Sequence, residues 1–181
     1  MTRHIRLARK FWRARKGTAA VEFAMVLPVL TVLLFGAIDI GRLLVDYHAV
    51  SKSIRDATRY LTRIDATAMG LSCSTGTVDQ SSAPAVQAMM LAMTGSLDGS
   101  TDFLLPYWNN TASLSAAGIA ITVDCFDNTA NTVQGYYAGL TQIPSLVMSA
   151  QVSFPFLNGF VLGRGNALTF TIRHKEVHFG Q

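Results

Sequence analysis

From Thr18 to Ile38 the chain runs 21 residues with one charge, Glu22, and Phe23–Ile38 carries none. As a helix that run spans roughly 31 Å, about the hydrocarbon thickness of a bilayer. The apolar pattern then changes period rather than stopping. No Gly or Pro interrupts 42–69, and Leu43, Tyr47, Val50, Ile54, Ala57, Leu61 and Ile64 recur at alternating spacings of four and three. Arg42, Asp46, Lys52, Arg55, Asp56, Arg59 and Arg63 fall mostly off that stripe. The spacing predicts one helix from about Thr18 to Ala66, its first half suited to lipid and its second amphipathic. Pro28 lacks the amide for one helical hydrogen bond, so a kink or opened turn is expected there. Gly36 and Gly41 permit close approach of a neighbouring helix.

Beyond the helix the punctuation multiplies. The Ser, Thr and Gly of 70–82 read as a loop. Ser82-Ala83-Pro84 opens a short helix to about Leu97, with Val86, Met89, Met90, Met93 and Leu97 on one face; the methionines read as core filler. Leu105-Pro106-Tyr107-Trp108 reads as a hydrophobic cap, an exposed contact being the sharper alternative. Alternating runs at Ile119–Phe126, Val147–Phe154 and Ala167–Phe179 predict strands. The fold class is α+β: a long N-terminal membrane-spanning and amphipathic helix, then a small extracytoplasmic domain with a short helix and an antiparallel sheet. The expected division is 1–17 leader, 18–40 membrane span, 41–68 amphipathic extension and 69–181 folded domain.

Composition fits that division. Only 14% of the 181 residues are charged, against roughly 25% in a typical soluble domain. The net charge of +4 is unevenly placed: residues 1–16 hold seven Lys/Arg and no Asp or Glu. The remainder, with 8 basic and 11 acidic residues, is mildly acidic. No basic surface for nucleic acid survives outside the leader. The cluster before the span sets the leader in the cytoplasm and the body outside. A cleavable secretory signal would have a shorter apolar core and a small-x-small site, and Gly36–Leu44 offers no convincing one. In an exported body Cys73 and Cys125 are free to join, closing a 53-residue loop, worth roughly 4 kcal/mol by chain entropy. Two buried free thiols are the alternative.

Catalytic patterns are scarce. His174, Glu176 and His178 alternate, so they share one face of the last strand. A polar face on an exposed strand is the favoured reading, and a metal or hydrolase site the weaker one. Gly159, Gly163 and Gly165 do not form a GxGxxG and read as turn residues; no P-loop or Gly-x-Ser-x-Gly occurs. No cofactor is indicated.

The junction of leader and span is more specific. Arg15-Lys16-Gly17-Thr18-Ala19-Ala20-Val21-Glu22-Phe23 resembles the class III signal of type IV pilins, and a glycine lets an extended backbone enter a tight protease cleft. A carboxylate inside an apolar helix costs roughly 2.5–3.5 kcal/mol, so Glu22 is read as functional rather than as a side chain snorkelling to the interface. Continuing through Ala24, Val26-Leu27-Pro28 and Gly36-Ala37-Ile38-Asp39-Ile40-Gly41-Arg42, the segment is similar to the TadE-like family. These are pseudopilins of the tight-adherence (Flp-type) pilus system. Val152-Ser153-Phe154-Pro155-Phe156, Ala167-Leu168-Thr169-Phe170 and two spaced cysteines also fit that family, whereas 70–150 matches loosely. Asp39 stands where many relatives are expected to carry Glu.

The resemblance implies a minor, non-enzymatic pilin-like component of the bacterial inner membrane, cut between Gly17 and Thr18 by a prepilin peptidase. Glu22, Phe23 and Pro28 would serve assembly and recognition. The implied partners are that peptidase, a partner pseudopilin and pilin subunits, the inner-membrane Tad platform and membrane lipid, with the C-terminal domain periplasmic. The alternatives are an uncleaved periplasmic scaffold of the same machine, and a membrane-tethered hydrolase using the His174 row.

Overall fold

A computed structural model describes residues 17–99, 102–109, 115, 117–155 and 168–179. The chain divides into two compact units, Met1–Gly41 and Arg42–Gln181. Helix α1, Thr18–Leu61, begins in the first and ends in the second. It is followed by α2 (Ala83–Thr94), β1 (Ile119–Asp127), β2 (Gln142–Phe154) and β3 (Leu168–Val177). The protein is α+β, with a long apolar N-terminal helix, a short helix and a three-stranded antiparallel sheet.

In the first unit α1 exposes its apolar side chains, among them Phe23, Val26, Leu30 and Leu34. It is long and apolar enough to cross a membrane, which suits a single-pass anchor. α1 continues as helix through Pro28. Just beyond, the Thr31 hydroxyl donates to the Leu27 carbonyl at 2.7 Å.

In the second unit the periodic stripe becomes the core. Val50, Ile54, Ala57 and Leu61 are fully buried, Leu43 and Ile64 pack partly against them, and Tyr47 stays partly exposed. The helix ends five residues before the expected Ala66. The last amides tighten, Arg63 N–H donating to Tyr60 and Ile64 N–H to Leu61. Asp65 Oδ1 then takes the Thr67 amide at 2.8 Å, an Asx turn that competes with helix continuation. That bond first, and a second from the Thr67 hydroxyl to the same oxygen, hold the Asp65 carboxyl below its ordinary pKa.

Helix α2 also stops early, at Gly95, whose φ of 79° closes the end through its amide and the Leu91 carbonyl. Its buried face differs from the expected one. Ala85, Ala88, Ala92, Met89 and Met93 face inward, while Val86 and Leu97 are exposed. The alanines allow close approach and the methionines fill what remains, so bulk was a poor guide to the inner face.

The sheet order is β1-β2-β3, with Ile121 opposite Met148 and Ala150 opposite Ile172. This register sends Ile119, Ile121, Val123, Leu146, Met148, Ala150, Val152, Phe154 and Ile172 to the core. Leu105 and Trp108 join them, the Trp108 indole donating to the Ala117 carbonyl at 2.7 Å. Gly118 turns the chain into β1 with φ +71°, where a Cβ would stand 2.6 Å from the Gln151 carbonyl oxygen. Only glycine fits that turn.

Tyr107, beside buried Trp108, stacks edge-on to Phe154 and donates its hydroxyl to Asp46 at 2.6 Å. Burial first, and the Asp46 bond and charge second, raise its pKa well above the ordinary tyrosine value. A raised folded pKa means stability fully present below about pH 10 and lost as pH climbs through the folded value. Tyr107→Phe should therefore melt at a more nearly constant temperature between pH 9 and pH 11 than the parent protein. Circular dichroism melts of both chains in detergent check this, and an equal alkaline decline would exclude the contribution.

Candidate functional site

Two groups of candidate residues emerge from the sequence, and the structure places them in different units. Gly17, Thr18, Glu22, Phe23 and Pro28 lie at the start of α1; Cys73 and Cys125 lie in the folded domain. Residues 1–16 of the basic leader lie outside the described residues, as do Phe156, Ala167 and the turn glycines 159, 163 and 165.

Gly17 is exposed, and a Cβ there would meet nothing within 4 Å. The α-helix starts at the next residue. Glu22 lies one helical turn beyond Thr18 on nearly the same face, and both are exposed. Phe23, 59% exposed, and Pro28 lie off that face. In the first unit this segment presents one carboxylate on an apolar cylinder, an arrangement suited to packing in lipid or against other helices.

The cysteines are joined. Cys73 and Cys125 form a disulfide with 5.7 Å between their Cα atoms, tying loop 70–79 to the last core-facing position of β1. The loop folds on itself through the Ser72–Thr77 bridge, and the Val123 amide donates to Gly76 at 3.3 Å. Asp79 closes it with a further turn, its side chain accepting from Ser81. These bonds, the Ser81 side-chain one first, lower the Asp79 pKa.

The row His174, Glu176, His178 is not a solvent face. The register puts His174 and Glu176 opposite Met148 and Leu146, on the core side of the sheet. Glu176 meets Arg59 and His174, each at 3.6 Å, and His178, past the end of β3, is buried with Nε2 2.7 Å from the Ile64 carbonyl oxygen. Side-chain alternation located the shared face correctly but not its side of the sheet, which Phe170 and Ile172 on the same parity fix. Among the described residues no three His, Cys, Asp or Glu side chains gather closely enough to hold a metal ion. A cavity of about 490 Å³ beside His178 is bounded chiefly by Leu71, Cys73, Tyr137, Leu140 and Pro144. Its two tyrosine hydroxyls are engaged by backbone, Tyr136 on Phe179 and Tyr137 on His178.

Sequence reading missed two polar anchors. Asn128, 2% exposed, organises 128–141 by donating to the Leu140 carbonyl and accepting from the Val133 amide at 3.0 Å each. The Asp46–Tyr107 bond was equally hidden. Neither carries a motif, since each partner lies too far along the chain to suggest the other.

Replacing Cys73 by Ser should lower the melting temperature and cost about 2–5 kcal/mol. Alkylation of the untreated, non-reduced protein should find no free thiol. Two readily alkylated cysteines would exclude the bridge.

Comparison with known families matches residues 17–59 to TadE, described as TadE-like protein. No curated protein and no solved structure matches the chain. The match begins at Gly17 and ends two residues before the end of α1. Residues 17–59 thus match a TadE-like domain, and the match takes in the long apolar N-terminal helix.

Proposed function

We propose that this chain is a minor pilin-like component, a pseudopilin, required for assembly of Tad/Flp-type pili and processed by a prepilin peptidase after Gly17. The observation that carries the reading is the TadE-like match over residues 17–59, whose first residue is the glycine that precedes α1. The leader lies in the cytoplasm, α1 anchors the chain in the inner membrane, and the domain with the Cys73–Cys125 bridge lies in the oxidising periplasm. Its partners are the peptidase, a partner pseudopilin, pilin subunits, the inner-membrane platform and lipid. The role is structural, without a catalytic step of its own.

Cleavage would create a new charge. The α-amino group of Thr18 becomes cationic at the membrane edge, about 6 Å along the axis from Glu22. Within one subunit the two can pair; in an assembly the amine of an axially shifted neighbour can take its place. Removing both charges from lipid favours that register, although desolvation offsets part of the gain. Glu22 therefore guides assembly rather than cleavage.

Mass spectrometry of protein from cells with an active Tad system should give a mature chain starting at Thr18. Gly17→Val should leave the precursor intact. An intact native Met1–Gln181 would overturn the processing and support the uncleaved scaffold.

Glu22→Ala should be inserted and cut normally yet fail to support piliation, with Glu22→Asp partly active. An uncut Glu22→Ala would transfer the carboxylate to peptidase recognition, and full piliation would leave it neither role.

A further inference from the structure

Within the second unit, α1 and β3 run side by side in the same direction. Tyr47 stacks edge-on against Phe170 with ring centres 6.3 Å apart, and Arg59 meets Glu176 at 3.6 Å. From the first contact to the second the helix rises about 18 Å and the strand about 20 Å, so the two elements keep pace. Counting back from Phe170, Leu168 lies about 7 Å nearer the start of the domain. The helix covers nearly the same rise, about 7.5 Å, from Tyr47 back to Arg42, the residue at which the second unit opens. Leu168 therefore lies level with Arg42, and Phe154 is its register partner.

A chain of rings closes this end of the domain. Phe170 stacks on Phe154 at 5.3 Å and Phe154 on Tyr107 at 5.8 Å, continuing the row from Tyr47. The Tyr107 hydroxyl donates to Asp46, next to Tyr47, and so holds its loop at the same level. The inner rings are phenylalanines, and the outer two are tyrosines, 38% and 37% exposed. Leu44, Val45 and Leu168 add exposed aliphatic surface. Tyrosine, with an apolar body and a polar tip, is enriched at the membrane–water boundary.

The height fits that boundary. The uncharged run of α1 ends at Ile38, and Arg42 follows about 6 Å later along the helix. The headgroup layer on each side of a bilayer is roughly 5–8 Å deep. With α1 across the bilayer, Arg42 and Leu168 fall within that layer and the tyrosines at its outer margin. The sequence joining β2 to β3 is of the same character, with one charge, Arg164, in 156–167. Because α1 tethers this end of the domain beside lipid, the contact needs no separate association step, unlike one with another subunit.

We propose that this end of the domain rests in the headgroup layer of the bilayer that α1 spans, with Leu44, Val45 and Leu168 against lipid and the Tyr47 and Tyr107 rings at the water boundary. The inference rests on α1 as the membrane anchor and goes beyond it, since the contact sets how the domain stands over the bilayer.

The test uses the full chain in phosphatidylcholine nanodiscs containing some lipid spin-labelled at the headgroup, with relaxation read by NMR. Leu168 and Tyr107 should relax at least fivefold faster than His178, at the far end of the strand. Leu168→Glu and Val45→Glu, both at exposed positions, should each cut the enhancement at Tyr107 at least threefold with little change in melting temperature. Thr171→Glu, on the same strand but farther from Arg42, should leave it unchanged. If Leu168→Glu does not fold, Val45→Glu decides. Lipid labelled deep in the acyl chain should relax the Leu30 methyls, which reports the anchor separately from the docking. Enhancement at Tyr107 that neither charge alters, or that all three alter equally, would overturn the proposal. So would enhancement found only in discs that hold two chains, which would assign the patch to a second copy.

Discussion

The folded domain depends on one contact, the burial of Val50, Ile54, Ala57 and Leu61 of α1 in a core shared with the sheet. Neither partner is stable without the other. A lone amphipathic helix of this length is marginal in water, and a three-stranded sheet must cover its apolar face. Truncating one large buried aliphatic side chain costs about 2–5 kcal/mol, a sizeable part of the 5–15 kcal/mol that typically holds a domain together. The alanines of α2 and the Trp108 loop complete the shell around this contact.

Polar ties fix the loops to the same helix. Tyr107 reaches Asp46, His178 reaches the Ile64 carbonyl and Phe179 reaches Thr62. Each satisfies a group at the domain surface or at the end of α1, where helix termini leave carbonyls without partners. His178 is thereby held against the end of α1. The Arg59–Glu176–His174 cluster, at separations of 3.6 Å, is partly exposed and contributes little to stability.

How much of this was legible in the sequence follows from the range of each signal. The α1 stripe and the strands were readable because their periods are local: 3.6 along a helix and 2 along a strand. The inner face of α2 was not, because packing selected Ala85, Ala88 and Ala92 over the bulkier Val86 and Leu97. The end of α1 was misplaced because Asp65 acts on Thr67, a choice between local hydrogen bonds that periodicity does not register. Parity gave the His174 row a common face, but only the sheet register tells that this face is the core side of the sheet. At the candidate site the reverse holds. Gly17, Glu22 and Pro28 were legible as a linear motif, and the fold adds chiefly their placement at the start of a helix.

The extent of the TadE-like segment bears on what that segment is for. A mere membrane tether would be complete by Gly41, where the first unit ends. The match runs on to residue 59 and so includes Val50, Ile54 and Ala57, all fully buried in the second unit. Only Leu61 of the helix's fully buried stripe lies beyond it. The segment is thus at once an apolar run and one wall of the domain core. An insertion within its second half would rotate the stripe by about 100° per residue and turn Ile54 or Ala57 away from the sheet. The helix phase between Arg42 and Leu61 is fixed by packing, whereas between Phe23 and Phe35 an uncharged, largely apolar surface leaves the face open to its neighbours. Specificity in the first half must then come from the few positions that break the uniformity, and Glu22 is the one that carries charge through its first two turns.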